Sequence, residues 1–412
     1  MTDWLFPAAL ALTGTMGVLM GLWGLWYLIS GLACVRKPQD YGLHPAQTKF
    51  AILIAARNEE LVIGPLINSL LTQSYPAKLY DIWVIPNNCA DNTALAARSF
   101  GAKVLECTVP VKSKGEVLRF AYNRLRGRRY DAWLVFDADN VVDRNFLAEM
   151  NNVRLTGVQA AQGYRDSKNP YDTALSGCSS IYYWMMDRFH NGGKAGLGLS
   201  AMIGGTGFMV TQSLLDKLGG WRTETISEDM EITVQALLAG ERVAYAPKAI
   251  TYDEQPLTWE QSFKQRRRWT SGTIQVAEAY LPALAQELGE RPRLALLDMG
   301  STMVLPAYQL AALAGLIPPR WADGPCFRLC CWGWRGPAGI SPGRHSRPPL
   351  PPGSSLHWRE NGTAVCGRHW GPIGFSSSPG CPLPRSAFGN GPPSGRRSAT
   401  PGPWPHSCPG DK

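Results

Sequence analysis

Phe50-Ala-Ile-Leu-Ile-Ala55, followed after Ala56 by Arg57-Asn58-Glu59, is the stretch whose reading decides the fold. Six consecutive apolar residues with no polar alternation suit a strand covered on both faces, not the edge of a solvated sheet. Asp81-Ile-Trp-Val-Ile-Pro86, Ala102-Lys-Val-Leu105 and Ala132-Trp-Leu-Val-Phe136 repeat the pattern. Between them, Glu59 to Gln73 and Asn92 to Phe100 place apolar residues at helical spacing. Strand and helix alternate, so the expected fold class is α/β, with a mostly parallel, Rossmann-like sheet and crossover helices. Ligands of such sheets collect at the carboxyl ends of the strands. Those ends carry Arg57-Asn58-Glu59, Asn87-Asn-Cys-Ala-Asp91 and Asp137-Ala-Asp139.

Upstream, Trp4 to Val35 is a run of 32 uncharged residues. At about 1.5 Å per helical residue it is long enough to cross a hydrocarbon core of roughly 30 Å. The start Met-Thr-Asp lacks the positive n-region of a cleaved signal, so residues 4–35 are predicted as a transmembrane helix. Arg36, Lys37 and Lys49 follow the span, which puts the domain after it in the cytosol. Cys34, Cys89, Cys107 and Cys178 are scattered singly, as suits a reducing compartment.

Downstream, Met230 to Ala239 reads as a helix, and residues 257–290 as amphipathic interface helices carrying Lys264 and Arg266 to Arg268. Residues 294–317 hold a single charge, Asp298, and are predicted as a second span, with a buried soluble helix as the other reading. The composition then collapses. Residues 321–412 hold ten Lys and Arg against three Asp and Glu, 17 of the 32 Pro and six of the ten Cys. Seven of the nine net positive charges therefore lie in a segment too poor in apolar residues to offset its ordering entropy. A nucleic-acid partner is excluded, because the charge does not sit on a folded face. Residues 319–412 are expected to be a disordered Pro/Gly/Arg-rich extension or the product of a frameshift close to Pro318.

Several short motifs can carry chemistry, and each has a plainer reading. Asp137-Ala-Asp139 offers two hard oxygen ligands suited to Mg²⁺ or Mn²⁺ on phosphate oxygens, yet solvated acids at a strand end look the same. Ser227-Glu228-Asp229 opens a helix, with Ser227 as N-cap, and Asp229 is a candidate general base. Gln265-Arg-Arg-Arg-Trp269 groups guanidinium groups for diphosphate with an indole for a sugar face, though a basic membrane-surface helix has the same composition. Lys114 could touch phosphate or lie in a solvated loop. Gly204-Gly205-Thr206-Gly207 lacks the spacing of a phosphate loop and is expected to let backbone approach a substrate.

Taken in order, Ile54-Ala-Ala-Arg-Asn-Glu-Glu60, Asn87 to Thr93, Asp137-Ala-Asp139, Gly204 to Phe208, Ser227-Glu-Asp229 and Gln265 to Trp269 give the chain its resemblance. From Lys49 to Gly272 it resembles the family 2 glycosyltransferases, in particular the membrane-bound processive branch of cellulose, chitin, hyaluronan and bacterial exopolysaccharide synthases. The resemblance implies a GT-A domain over residues 48–256 flanked by transmembrane helices. It also implies a nucleotide diphosphate sugar donor, usually a UDP-sugar, and a Mg²⁺ or Mn²⁺ cofactor. By similarity, Ala56, Arg57, Glu59, Asn87, Asp91, Lys114, Asp137, Gln265 and Arg268 would bind the donor. Asp139, with Asp137, would hold the metal, and Asp229 would be the base of an inverting displacement. Gly205, Thr206, Glu228 and Trp269 would meet the acceptor.

Two departures stand out. Asn87 occupies a position where the family usually has an acid that accepts from uracil; an amide carbonyl accepts that bond without charge. Only one predicted span follows the Gln-x-x-Arg-Trp segment, where the family usually continues with several. The expected function is thus inverting, metal-dependent sugar transfer to a polysaccharide or lipid-linked acceptor. The expected location is the cytosolic face of a plasma membrane crossed more than once. The alternatives are a glycolipid synthase or a truncated, inactive donor-binding membrane protein. A nucleotidyltransferase would leave Asp229 and the Gln-Arg-Trp cluster without work.

Overall fold

The computed structural model describes residues 5–36 and 39–316, so Trp4, Ile317 and the expected tail at 319–412 lie outside the described residues. Helix α1 (Leu5–Leu32) runs into a 3₁₀ turn (Ala33–Val35). Next come β1 (Phe50–Ala56), α2 (Ile63–Leu71), β2 (Tyr80–Pro86), α3 (Thr93–Ser99), β3 (Lys103–Val104), α4 (Lys114–Leu125) and β4 (Ala132–Asp137). The second half holds β5 (Val141–Val142), α5 (Phe146–Leu155), β6 (Ala160–Ser167), α6 (Ala174–Met185), a π-helical turn (Met186–Asn191) and α7 (Gly192–Gly196). After β7 (Phe208–Thr211), α8 (Gln212–Leu218), α9 (Glu228–Leu238) and β8 (Val243–Asp253), the described chain ends with α10 (Trp259–Glu290) and α11 (Leu294–Leu316).

The eight strands form one sheet in the order β3-β2-β1-β4-β7-β6-β8-β5. Pairing is parallel from β3 through β4, as the apolar runs predict, and also between β6 and β8, two strands the runs do not announce. β7 runs against both β4 and β6, and β5 against β8, which makes the sheet mixed. The cause is the route of the chain. Residues 168–207 leave the carboxyl end of β6 and return to the same end, so β7 enters the sheet reversed. This delivers the Gly204–Gly207 turn to the edge where the parallel strands finish.

The alternation along β1 splits its side chains between two cores. Phe50, Ile52 and Ile54 pack with α2 and α5 through Ile63, Leu66, Ile67, Phe146 and Met150. Ala51 and Leu53 face α4, α8 and α9 through Val117, Leu118, Leu214, Leu215 and Ile232. At roughly 1.5–3 kcal/mol for each large side chain removed from water, these two layers provide most of the driving force for the body.

A third apolar cluster joins α9, α10 and α11 through Val234, Leu237, Val276, Leu284, Leu296, Met299 and Met303. The stretch expected to hold several interface helices is a single helix, begun by a capping box between Thr258 and Gln261. Among the described residues, one helix is long and apolar enough to cross a membrane, over Gly17–Val35. The second expected span, α11, contains Pro306 and a buried Asp298. Asp298 accepts a hydrogen bond from Trp26 Nε1 of α1 at 2.9 Å and pairs with Lys194 of α7 at 2.8 Å. Both charged side chains are buried, so this ion pair fastens α11 and α1 to the α/β body.

Candidate active site

The carboxyl ends of β1, β4 and β6 and the turn that enters β7 converge on a cavity of about 470 Å³, lined also by α9 and α10. Asp137 is the last residue of β4, and its amide is held by Asn140 Oδ1 and Thr206 Oγ1, both at 3.1 Å. Lys114, in the first turn of α4, donates to Asp137 Oδ1 at 2.5 Å and to the Gly205 carbonyl at 2.7 Å, and lies 3.6 Å from Glu228 Oε1. The solvated-loop reading of Lys114 is therefore wrong. Burial alone would lower its pKa, but Asp137 and Glu228 outweigh that and leave it raised.

The lining carries more negative than positive charge near the strand ends. Burial, with Asp137, Asp253 and Glu59 around it, pushes the Asp139 carboxyl up to about 7. Glu59 is raised for the same reasons, burial first and Asp137 next. Such mutual repulsion is what a divalent cation relieves, and Asp137 and Asp139 supply the hard oxygens that Mg²⁺ or Mn²⁺ prefers. Among the described residues no three acidic, His or Cys side chains gather in metal-binding geometry. The pair could hold a cation only if its remaining ligands were supplied by bound substrate and water.

Glu228 and Asp229 open α9. Ser227 occupies the N-cap position, but its side chain makes no capping bond. Asp229 Oδ1 instead accepts from the Met230 amide at 2.8 Å. Burial raises Asp229 against the pull of that amide and of Lys114, and burial also sets Glu228 at about 7. Gly205 faces Asp229 closely: its φ is +89°, and a Cβ there would lie 3.3 Å from Asp229 Oδ2. Only glycine takes that backbone without strain.

Gln265, Arg268 and Trp269 line the cavity from one face of α10, as their spacing of three and four dictates. Trp269 meets Tyr183 edge to face at 6.3 Å. The helix reaches this position because of Gly272, where a Cβ would fall 1.9 Å from Ser227 Oγ. α10 therefore rests directly on the start of α9, and the Gln-Arg-Trp face is tied to the carboxylate that precedes it.

Several expected ligands are structural. Thr206 is fully buried, accepts from the Asp137 amide and donates to Asn140, so it shapes the strand end and cannot meet an acceptor. Asp91 spends both oxygens on the loops, binding Thr93 at 2.5 Å and the Glu60 amide at 3.1 Å. Ala56 is buried, and its carbonyl accepts from the Asn87 amide and from Asn87 Nδ2, each at 3.0 Å. In that orientation the side-chain Oδ1 of Asn87 has no hydrogen-bond partner among the described residues. Arg57 is exposed, and Ala56, Arg57, Asn87 and Asp91 all lie outside the cavity lining, whereas Glu59 lies within it.

The cavity also has a wall that sequence reasoning missed. Arg165 of β6 donates through Nε to Asp253 Oδ2 at 2.6 Å and through Nη1 to the Gly204 carbonyl at 2.5 Å. Its guanidinium lies 4.4 Å from the Tyr183 ring centroid. Asp253 ends β8 and Arg165 lies two residues before the end of β6, so a search near strand ends would have found them had β6 and β8 been recognised.

The family model described as "Glycosyltransferase like family 2" matches residues 45–272, more than half of the chain. A probable glycosyltransferase, YdaM, of Bacillus subtilis is 28% identical over 57% of this chain and 57% of its own length. The beta-monoglucosyldiacylglycerol synthase of Trichormus variabilis is 26% identical over 65% of this chain and 61% of its own. The poly-beta-1,6-N-acetyl-D-glucosamine synthase of Staphylococcus epidermidis is 24% identical over 57% and 56%. The chain thus spans somewhat more than half the length of these curated relatives. The solved mannosyltransferase PcManGT of Pyrobaculum calidifontis, in complex with GDP-Man and Mn²⁺, superposes with a TM-score of 0.54 at 19% identity, covering 79% of this chain and 90% of that one. The fold is GT-A-like, and the chain belongs to glycosyltransferase family 2.

Proposed function

We propose that the chain transfers a sugar from a nucleoside diphosphate sugar to an acceptor hydroxyl, by a single displacement with Asp229 as base and a divalent cation held by Asp139 and Asp137. The observation that carries this reading is the convergence on one cavity of the Asp137–Asp139 pair, Lys114, Asp229 and the Gln265–Arg268–Trp269 face. A bound Mg²⁺ or Mn²⁺ would neutralise charge developing on the leaving diphosphate. Arg268 and Gln265 face the same cavity and stabilise that charge from the opposite side. Burial keeps the Asp229 carboxyl raised, which brings its proton affinity closer to that of an attacking hydroxyl. Trp269 and Tyr183 present aromatic surface to a sugar ring.

The acceptor side is argued from surface chemistry. Ile181, Met185 and Phe189 are exposed along α6 and the π turn, and Phe189 Cβ lies close to Gly31 of α1. This apolar stripe continues the surface of α1, which supports a membrane-associated enzyme whose acceptor is lipid-linked or is extended at the membrane surface. Relatives named as a glycolipid synthase and as a polysaccharide synthase are compatible with either product. Membranes containing the full chain, incubated with labelled UDP-sugars or GDP-mannose and Mn²⁺, test the reading. Label partitioning into organic solvent identifies a glycolipid, and label in high-mass carbohydrate identifies a polymer. Nucleotide binding with no transfer to any acceptor would instead favour an inactive donor-binding protein.

A further inference from the structure

A second cavity, of about 170 Å³, lies where α1 ends, behind the wall of the first. Its lining includes Cys34, Arg36, Tyr164, Asp187, Arg188 and Tyr245. Asp187, on the π turn, lines both cavities. Single π turns inside α-helices concentrate at functional positions, because the extra residue redirects side chains. Here the turn sends the buried Asp187 inward, while Arg188 is exposed and lines the second cavity.

The charge in this cavity is unbalanced in the opposite sense to that of the active site. Arg36 donates to the Gly196 carbonyl at 3.0 Å, which holds it at the cavity. Neither Arg36 nor Arg188 forms an ion pair among the described residues. Asp187, the one carboxylate of the lining, accepts from the Arg165 amide at 3.0 Å, and burial pushes its carboxyl up to about 7, which weakens its charge. Two guanidinium groups without ion-pair partners, lining a small and otherwise largely apolar cavity, match a phosphate ester in charge and in hydrogen-bonding geometry. The volume is well below the ~300 Å³ at which drug-sized ligand pockets begin, so a second nucleotide sugar does not fit.

Its position selects the source of the phosphate. The cavity opens at the last turn of the apolar Gly17–Val35 segment, the level at which lipid headgroups lie if that segment spans a bilayer. We infer that the Arg36–Arg188 cavity binds the phosphate of an anionic phospholipid whose chains run along α1. The inference rests on the membrane placement of α1 in the proposal above, and it requires no sugar transfer.

Cys34 lines the cavity and serves as a built-in probe. The full chain in uncharged detergent is treated with N-ethylmaleimide, and labelling of Cys34 is followed by peptide mapping, with Cys89, Cys107 and Cys178 as internal references. Dioctanoyl-phosphatidylglycerol is expected to slow Cys34 labelling about tenfold and leave those three reference cysteines unchanged, with glycerol 3-phosphate and dioctanoylglycerol giving little protection. Arg36→Gln combined with Arg188→Gln alters only exposed side chains and is expected to abolish the protection. Protection that persists in the double variant, or that dioctanoylglycerol gives equally, overturns the site. Equal protection by glycerol 3-phosphate overturns the lipid assignment in favour of a soluble phosphate ester. Sugar transfer measured on the same samples separates the two proposals, since lipid protection with no transfer sinks the enzymatic reading and leaves this one standing.

Discussion

Two regions of the molecule bury carboxylates, and they treat them differently. At the junction of α1, α7 and α11, Asp298 has one cation, Lys194 at 2.8 Å, and a hydrogen bond from Trp26. At the carboxyl edge of the sheet, Glu59, Asp137, Asp139, Glu228 and Asp229 share one cavity, with Lys114 pairing only Asp137 and Glu228. The first arrangement is balanced and closed. The second leaves carboxyl groups raised by burial and by one another, a state that costs folding free energy unless a cation or substrate relieves it. Balance marks the charges that hold the structure, and imbalance marks those that do chemistry.

The comparison breaks most directly at its two centres. Asp229→Asn keeps the shape of the side chain and removes its basicity, so sugar transfer is expected to fall by about 10²–10⁴-fold with donor binding and thermal unfolding little changed. Asp298→Ala should do the reverse. It strands Lys194 without a partner and is expected to lower stability by about 3–5 kcal/mol, measured by denaturant unfolding in detergent, while turnover per folded molecule holds. Asp298→Leu together with Lys194→Met removes both charges and should recover most of that loss. If Asp298→Ala instead abolished transfer in fully folded protein, the junction could not be merely structural.

A smaller effect is expected where α10 rests on α9. Gly272→Ala places a methyl 1.9 Å from Ser227 Oγ and must tilt the Gln265–Trp269 face, so kcat/KM should drop by about tenfold. Ser227→Ala in the same chain removes the nearest atom and should restore part of the loss; no recovery would mean that the contact does not set the helix position.

The pH dependence is the mildest test. Burial raises the Asp229 carboxyl, so activity should be lost, as pH falls, at a pH above the ordinary carboxylate range. Stability runs the other way. Groups raised in the folded state favour folding when protonated, so the thermal midpoint of metal-free protein should decline from pH 5 to pH 8. Glu228→Gln should flatten that decline.

Much of the body was legible because β1, β2 and β4 are buried on both faces and consist of continuous apolar runs. Asp137, Asp139, Asp229, Gln265, Arg268 and Trp269 were legible because they stand at element ends in a recognisable order. The distant wall was not. β6 reads Ala-Ala-Gln-Gly-Tyr-Arg-Asp-Ser, with no apolar run to announce a strand, and Arg165 finds Asp253 across 88 residues. The loop residues erred in the other direction: Asp91 and Thr206 look like ligands, yet turn geometry consumes their polar atoms. A motif names the residues present, and only packing tells which of their lone pairs remain available. For α11, composition suggested a span but could not show the buried Lys194–Asp298 pair that ties the helix to α7.

The measurement closest to the central claim is transfer itself, made with the full chain in lipid nanodiscs, a set of labelled UDP-sugars and GDP-mannose, and lipid or oligosaccharide acceptors. Incorporation that requires Mn²⁺ or Mg²⁺ and disappears in Asp229→Asn is the expected result. Nucleotide binding without incorporation from any donor, or incorporation that Asp229→Asn leaves intact, would contradict it.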